Sequence, residues 1–110
     1  MGVKEARDRV KSAIRNSGFQ YPTSHITLNL APSHLSKSGT AFDLPIAIAI
    51  LAASEQIPAQ ALLDTEFLGE LSLFGDLRET SNLLASAIAC EGEGHRVFLP
   101  LANRTEIALI

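Results

Sequence analysis

The hydroxyl and amine side chains around residues 37–40 are the first candidates for chemistry in this 110-residue chain. A serine or threonine becomes a nucleophile when a base such as a desolvated lysine removes its proton. The lysines are Lys4, Lys11 and Lys37, so the only local hydroxyl–amine pair is Thr40 with Lys37. This pair lies at the end of a polar stretch, 32–39, and we interpret it as loop polarity.

Patterns for metal and phosphate binding are missing from the sequence. His25, His34 and His95 lie far apart, with neither the helical spacing nor the neighbouring cysteine that a zinc site needs. No Gly-x-x-x-x-Gly-Lys-Ser/Thr loop is present. Cys90 lies on the apolar side of a predicted helix and is interpreted as a small core residue. We therefore expect no catalytic residue, metal or cofactor in these residues.

Charge is distributed unevenly along the chain. Residues 1–18 contain five basic and two acidic side chains, a balance of +3, and since the whole chain carries −3, the remainder carries −6. A basic first helix on an acidic body is a candidate surface for phosphates, a membrane surface or an acidic partner. The alternative is an ordinary solvated helix face. The residues that we would assign to a contact with phosphates or with a partner are Lys4, Arg7, Lys11 and Arg15.

A first helix must position these side chains. Its apolar residues recur at intervals of three and four, as in one buried stripe of a helix, and Gly18 is placed to end it. The predicted stripe comprises Val3, Ala6, Val10, Ala13, Ile14 and Ser17. A strand is predicted next, at 25–30, where apolar and polar residues alternate.

The second predicted helix starts at Thr40 or at Asp43. With Asp43 as the cap, Pro45 falls in the first turn, where its missing N–H costs nothing, so we favour Asp43. Residues 44–53 are apolar on every side, which predicts a central helix covered all round. One further short helix is predicted at 58–63.

The second half of the chain predicts a hairpin, a helix and a strand. The hairpin has a strand at 67–73, a turn around 74–76 and a short return strand. Ser81 would cap a third helix that ends at 91–94, and a final strand follows at 96–99. The predicted inward residues of that helix are Leu83, Leu84, Ala87, Ile88 and Cys90. Helices alternating with strands predict an α/β (α+β) fold, with helices packed on a mixed sheet.

Two segments together resemble the peptidase fold of Lon-type proteases. They are residues 37–53 and the run Gly69-Glu70-Leu71-Ser72-Leu73-Phe74-Gly75. In this resemblance Ala41 stands where those enzymes carry the catalytic serine, and Leu84 stands where they carry the partner lysine. The resemblance thus implies a hydrolase-like architecture with a vestigial dyad. A degenerate Ser–Lys peptidase remains as an alternative.

The chain is more similar still to the N-terminal domain of the ComM family, also called YifB, of magnesium-chelatase-like AAA+ ATPases. The similarity covers nearly the whole chain. Its most specific segments are Val3-Lys4-Glu5, Ile26-Thr27-Leu28-Asn29-Leu30-Ala31-Pro32, Phe42-Asp43-Leu44-Pro45-Ile46-Ala47-Ile48 and Phe67-Leu68-Gly69-Glu70-Leu71.

This second resemblance implies a non-catalytic accessory domain. It implies that residues 1–110 are part of an N-terminal domain, cut at both ends, of a hexameric ATPase that acts on DNA in natural transformation. ATP and Mg²⁺ would belong to the motor of the full-length protein. The implied partners are that motor, neighbouring subunits and DNA. The alternative is a purely structural module between subunits.

Bulk composition fits this expectation. A chain of 110 residues with 46% hydrophobic residues suits one small domain. The longest nearly uncharged apolar run, 44–53, is too short to cross a bilayer. A single cysteine fits a reducing compartment. We therefore predict a cytoplasmic location without membrane contact.

Overall fold

The computed structural model describes residues 3–27, 41–79 and 83–104, with side chains from residue 6 onward. Its elements are α1 (Val3–Asn16), α2 (Asp43–Ala53), a 3-10 turn (Ala59–Leu62), β1 (Thr65–Phe67), β2 (Glu70–Leu71), β3 (Leu77–Arg78), α3 (Leu84–Gly92), β4 (Arg96–Phe98) and a second 3-10 turn (Leu101–Asn103). Within the described ranges, β1 pairs with β4 in parallel and β2 pairs with β3 antiparallel. The predicted mixed α/β class is confirmed.

Helix α1 forms where its apolar stripe predicts it. Val10, Ala13 and Ile14 are buried against α2 and β2, and burying a valine or isoleucine side chain contributes about 1.5–3 kcal/mol. Gly18 has a φ of +88°. The chain turns there because the Phe19 N–H donates to the Ile14 carbonyl over 3.1 Å, a bond that closes a helix end.

One residue of the predicted stripe is placed wrongly. Ser17 is exposed, because it follows the last helical residue, Asn16, and no longer keeps the helical periodicity. The hairpin turn packs here instead: the Asn16 side-chain amide donates to the Leu73 carbonyl over 2.7 Å.

Helix α2 forms the other half of the core. Ile46, Ala47, Ile50 and Leu51 are buried, and Pro45 lies in the first turn as predicted. The prediction that this helix is covered all round is wrong, because Ala49 is exposed. That side borders an open groove of about 370 Å³ formed with residues 22–27.

The cap prediction at the start of α2 is also wrong. Phe42 occupies the cap position and its side chain makes no capping hydrogen bond. Asp43 is the first helical residue. Its carboxylate accepts hydrogen bonds from Arg9 and from the Leu71 N–H instead of capping the start of α2. The alternative start, Thr40, lies outside the described residues.

The predicted strand 67–73 is broken in two at Gly69. This glycine has a φ of +155°, and a Cβ on it would lie 2.7 Å from the Leu77 Cδ1 atom. Its N–H donates to the Ala41 carbonyl over 2.8 Å, and its carbonyl accepts the Leu44 N–H over 3.0 Å. The chain therefore leaves the β1–β4 pair and enters the β2–β3 hairpin at this residue.

Helix α3 is amphipathic rather than uniformly buried. Leu83, Ala87 and Cys90 are buried as predicted, and Leu84 is half-buried. Ile88 is 50% exposed, so its inward assignment is wrong: the buried residues within α3 are Ala87 and Cys90. The helix ends at Gly92 and β4 follows, both as predicted.

Some predictions fall on residues that the structure does not describe. The Ser81 cap lies outside the described residues, as do residues 28–30 of the predicted strand 25–30. Residues 25–27 form neither helix nor strand in the described part of the chain. The short helix predicted at 58–63 is present as the 3-10 turn at Ala59–Leu62.

Candidate nucleic-acid interface

The four basic residues singled out from the sequence share one face of α1, which we call the basic face: Lys4, Arg7, Lys11 and Arg15. Intervals of three and four residues place them in one stripe of a helix. Arg7 and Arg15 are exposed, and Lys11 is half-buried. The backbone of Lys4 continues the stripe, and its side chain lies outside the described ones. The face therefore presents two guanidinium groups to solvent.

Arg7 is only loosely held. Among the described side chains it pairs with Asp8, with Nε and Oδ1 3.9 Å apart and side chains 59% and 66% exposed. A pair this exposed contributes little, because water screens both charges. Arg7 is thus available to an external anion.

Lys11 is more constrained. Its ammonium lies over the ring of Tyr21, 5.5 Å from the centroid, within the range of a cation–π contact. Tyr21 in turn packs against the core formed by α1 and α2. This contact fixes the direction of the Lys11 side chain at the edge of the face.

Arg9 does not belong to the basic face. Its guanidinium donates from Nε to Asp43 Oδ2 over 2.7 Å and from Nη2 to Oδ1 over 2.9 Å. The Asp43 side chain is 1% exposed and that of Arg9 is 16% exposed. Asp43 Oδ2 also accepts the Leu71 N–H over 3.1 Å. We call this arrangement the Asp43 clasp, and it joins α1, α2 and β2.

The clasp changes the charge that α1 offers to a partner. With Arg9 paired internally, residues 1–18 keep four basic against two acidic side chains, a balance of +2. The clasp was not predicted from the sequence, because Asp43 was assigned as the N-terminal cap of α2. The available signal was an acidic residue at the start of a helix that is otherwise entirely apolar, since a buried carboxylate needs a charged partner.

Ala41 and Leu84 are both described and both half-buried. Ala41 precedes α2 and offers only its backbone carbonyl, which accepts the Gly69 N–H. Leu84 is the first residue of α3. Their side chains are hydrocarbon and carry no proton to transfer. The interpretation of the two positions as a vestigial dyad stays a prediction.

A second cluster, which sequence analysis did not recognise, lies between β1 and the end of α3. His95 Nδ1 is 2.8 Å from Glu66 Oε2, and His95 Nε2 is 3.8 Å from Asp64 Oδ1. The hydrogen bond with Glu66 raises the pKa of His95, and the same bond lowers the pKa of Glu66. No local sequence pattern indicates this contact, because His95 and Glu66 lie 29 positions apart.

The buried thiol of Cys90 adjoins this cluster without forming a nucleophile. Burial raises the pKa of the Cys90 thiol, and a hydrogen bond to Glu66 raises it further. A thiol of raised pKa stays protonated at neutral pH and does not attack a substrate. Across residues 3–27, 41–79 and 83–104, no group of His, Cys, Asp and Glu side chains has a geometry that holds a metal ion.

No helix in the described part of the chain combines the length and apolar character needed to span a membrane.

Comparison with known proteins agrees with the resemblance noted from the sequence. The family described as subunit ChlI of Mg-chelatase matches residues 1–103. The protein YifB of Escherichia coli is 51% identical over 108 residues. The competence protein ComM of Haemophilus influenzae is 45% identical over 108 residues, and the protein Rv2897c of Mycobacterium tuberculosis is 37% identical over 109 residues.

Each of these alignments covers 98% of this chain but only 21% or 22% of the relative. The chain therefore spans about a fifth of the length of the curated relatives it matches.

Proposed function

Because the chain belongs to the family of the ChlI subunit of Mg-chelatase, we propose that it is a non-catalytic domain of a ComM-like AAA+ ATPase. ATP hydrolysis and Mg²⁺ binding are assigned to the motor of the whole protein, since residues 1–110 contain no phosphate-binding glycine loop. The name of the Haemophilus influenzae relative, a competence protein, supports a role in natural transformation. Such a protein works on DNA in the cytoplasm.

The domain contributes by engaging DNA through the basic face of α1. This proposal rests on the different surroundings of the arginine side chains along α1. Arg9 is paired with a buried carboxylate, whereas Arg7 and Arg15 are exposed. Exposed guanidinium groups form bidentate hydrogen bonds with phosphate oxygens. The contacts are to phosphates, so we expect binding without sequence preference.

The side chains in the remaining sites support a non-catalytic role. Ala41 and Leu84 carry no ionisable group, and the raised pKa of Cys90 keeps its thiol protonated. Lys37 and Thr40, the remaining hydroxyl–amine pair, lie outside the described residues. A fluorophosphonate probe tests the peptidase alternative, and we expect no labelling.

Salt-dependent titration tests the proposed DNA contact. Fluorescence anisotropy with a labelled single strand would compare the chain with a variant carrying Arg7→Gln, Lys11→Gln and Arg15→Gln. Each phosphate contact to a single strand contributes roughly 0.7 to the slope of log affinity against log salt. We expect the slope of the variant to fall by about 1.4–2.1, for two to three lost contacts.

Arg104→Gln is the control, because it removes one exposed positive charge that does not belong to α1. It should change the slope far less than Arg7→Gln does. Equal affinity of the chain and the triple variant would refute binding through this face.

A structural module between subunits is the second candidate. Several large apolar side chains outside α1 are exposed: Ile88 and Phe98 are each 50% exposed, and Leu101 is 75% exposed. Such side chains are typical of a surface that meets another protein where they form one contiguous patch. Sedimentation of the chain with and without the motor region distinguishes this function: complex formation in the absence of any DNA affinity would favour it.

A further inference from the structure

Three elements meet at the carboxylate of Glu66. Glu66 lies on β1, Cys90 lies on α3, and His95 lies in the turn that joins α3 to β4. We propose that Glu66 and His95 form a pH-sensitive latch, which fastens the α3–β4 turn to β1 while His95 is protonated and loosens when His95 loses its proton. The proposal does not depend on the DNA contact proposed for α1.

The latch joins segments that are distant in sequence. The imidazole–carboxylate contact is 2.8 Å long and spans 29 positions. Backbone bonds hold both sides in place, since the His95 N–H donates to the Cys90 carbonyl over 3.0 Å and the Arg96 N–H donates to the Asp64 carbonyl over 2.9 Å. Both latch side chains reach solvent, with exposures of 32% for His95 and 44% for Glu66. Protons therefore exchange readily without unfolding of the domain.

Among the described residues, the charged groups that shift the pKa of His95 are all acidic. Glu66 faces it from β1, Asp64 from the segment before β1, and Glu93 from the end of α3. Cys90 contributes no charge, because its thiol is protonated and bonds to Glu66. Glu66 raises the pKa of His95 by its hydrogen bond, partial burial opposes this, and the charges of Glu66, Asp64 and Glu93 add to the rise.

The raised pKa of His95 determines how the stability of the folded state changes with pH. A group with a raised pKa in the folded state stabilises that state fully below its unfolded pKa, about 6.5 for histidine. The contribution of His95 is then lost as the pH rises through its raised pKa. Glu66 has a pKa lowered from 4.5, so its contribution is lost as the pH falls through that lowered value. The latch is closed between these limits.

Opening of the latch would loosen a particular part of the fold. The bond from the Leu68 N–H to the Phe98 carbonyl, 3.1 Å long, and the bond from Arg96 to Asp64 flank the β1–β4 pair. The rings of Phe67 and Phe98 stack beside it with centroids 5.1 Å apart. We expect the pairing of β1 with β4 to open locally before the α1–α2 core does, because local openings involve few buried contacts.

Hydrogen exchange across pH measures this opening directly. Protection factors of the Arg96 and Leu68 amides should fall between about pH 5.5 and about pH 8.5, on either side of the ordinary histidine pKa. The Ile46 amide, which bonds to Phe42 in α2, serves as the internal reference and should change little. Protection factors are used because they correct for the intrinsic pH dependence of exchange.

Two variants isolate the latch. Glu66→Gln removes the acceptor charge and should strongly reduce the pH dependence of the protection of Arg96 and Leu68, with a small remainder due to the charges of Asp64 and Glu93. His25→Gln is the matched control, since His25 is an exposed histidine in a different segment, and it should leave the wild-type profile unchanged. A Glu66→Gln variant that keeps the wild-type profile would refute the latch.

A titration of the imidazole signals by NMR gives an independent check that needs no stable variant. His95 should titrate above the ordinary histidine value in the folded chain and closer to it in urea. One unit of pKa difference corresponds to a tenfold change in the opening equilibrium. The logarithm of the fall in the protection factor should therefore equal the difference between the pKa of His95 in the folded chain and in the unfolded chain. A folded-state value equal to the unfolded one overturns the proposal.

Discussion

Substitution of Asp43 by alanine tests the Asp43 clasp. The change removes the carboxylate that receives two hydrogen bonds from Arg9 and one from the Leu71 N–H. Breaking a buried ion pair by removing one partner costs about 3–5 kcal/mol, and a buried N–H that loses its acceptor costs about 1–3 kcal/mol. Because these costs overlap, we expect Asp43→Ala to lower the free energy of unfolding by about 4 kcal/mol. That is a large part of the total of about 5–15 kcal/mol that is typical of a domain.

Urea unfolding followed by circular dichroism measures the effect. Arg9→Met should cost about 3 kcal/mol, since it leaves the buried Asp43 carboxylate without its guanidinium. The double variant should lose less than the sum of the single losses, with a coupling of about 2–3 kcal/mol. Asp8→Asn is the control, because its partner Arg7 lies 3.9 Å away on the surface, and it should cost less than about 1 kcal/mol. A loss below about 1 kcal/mol in Asp43→Ala, or additive single variants, would refute the clasp.

Three further predictions concern packing. Gly69→Ala should destabilise the chain by about 1–3 kcal/mol, because the added Cβ meets Leu77 and the backbone φ is positive; a neutral effect in urea unfolding would contradict this. Leu83 is 2% and Ile88 50% exposed. Leu83→Ala should therefore lower the free energy of unfolding by about 2–5 kcal/mol, and Ile88→Ala by less than about 1 kcal/mol. Equal losses would show that α3 is packed on both sides. Cys90 should react with a thiol reagent slowly in the folded chain and rapidly in denaturant, and fast labelling under native conditions would contradict its burial and raised pKa.

Features that depend on neighbouring residues were predictable from the sequence. The stripe of α1 and its end at Gly18 follow from residues within two turns of each other. The same is true of the first turn of α2, where Pro45 requires the helix to start nearby. The basic residues of α1 were singled out from the local charge imbalance alone; Arg7 and Arg15 are exposed, and their contact with DNA stays a prediction.

Features that depend on distant partners were not predictable in this way. Asp43 resembles a helix cap locally, but its partner Arg9 lies 34 positions away, and an interior ion pair competes successfully with the cap. His95 resembles an ordinary loop histidine until β1 and β4 pair and bring Glu66 to it. Ile88 follows the apolar periodicity of α3, yet it is 50% exposed, whereas Ala87 and Cys90 are buried. In each case tertiary packing decided between alternatives that the local sequence left equal.

Chemical-shift mapping of the chain with a short single-stranded DNA tests the proposed interface most directly. We expect the largest amide shifts along α1 at Arg7, Lys11 and Arg15, weakening as salt is added, because counterions compete for the phosphates. The triple glutamine variant should lose these shifts while keeping its fold. Shifts confined to another surface, or no shifts at low salt, would contradict the assignment of DNA binding to the basic face of α1.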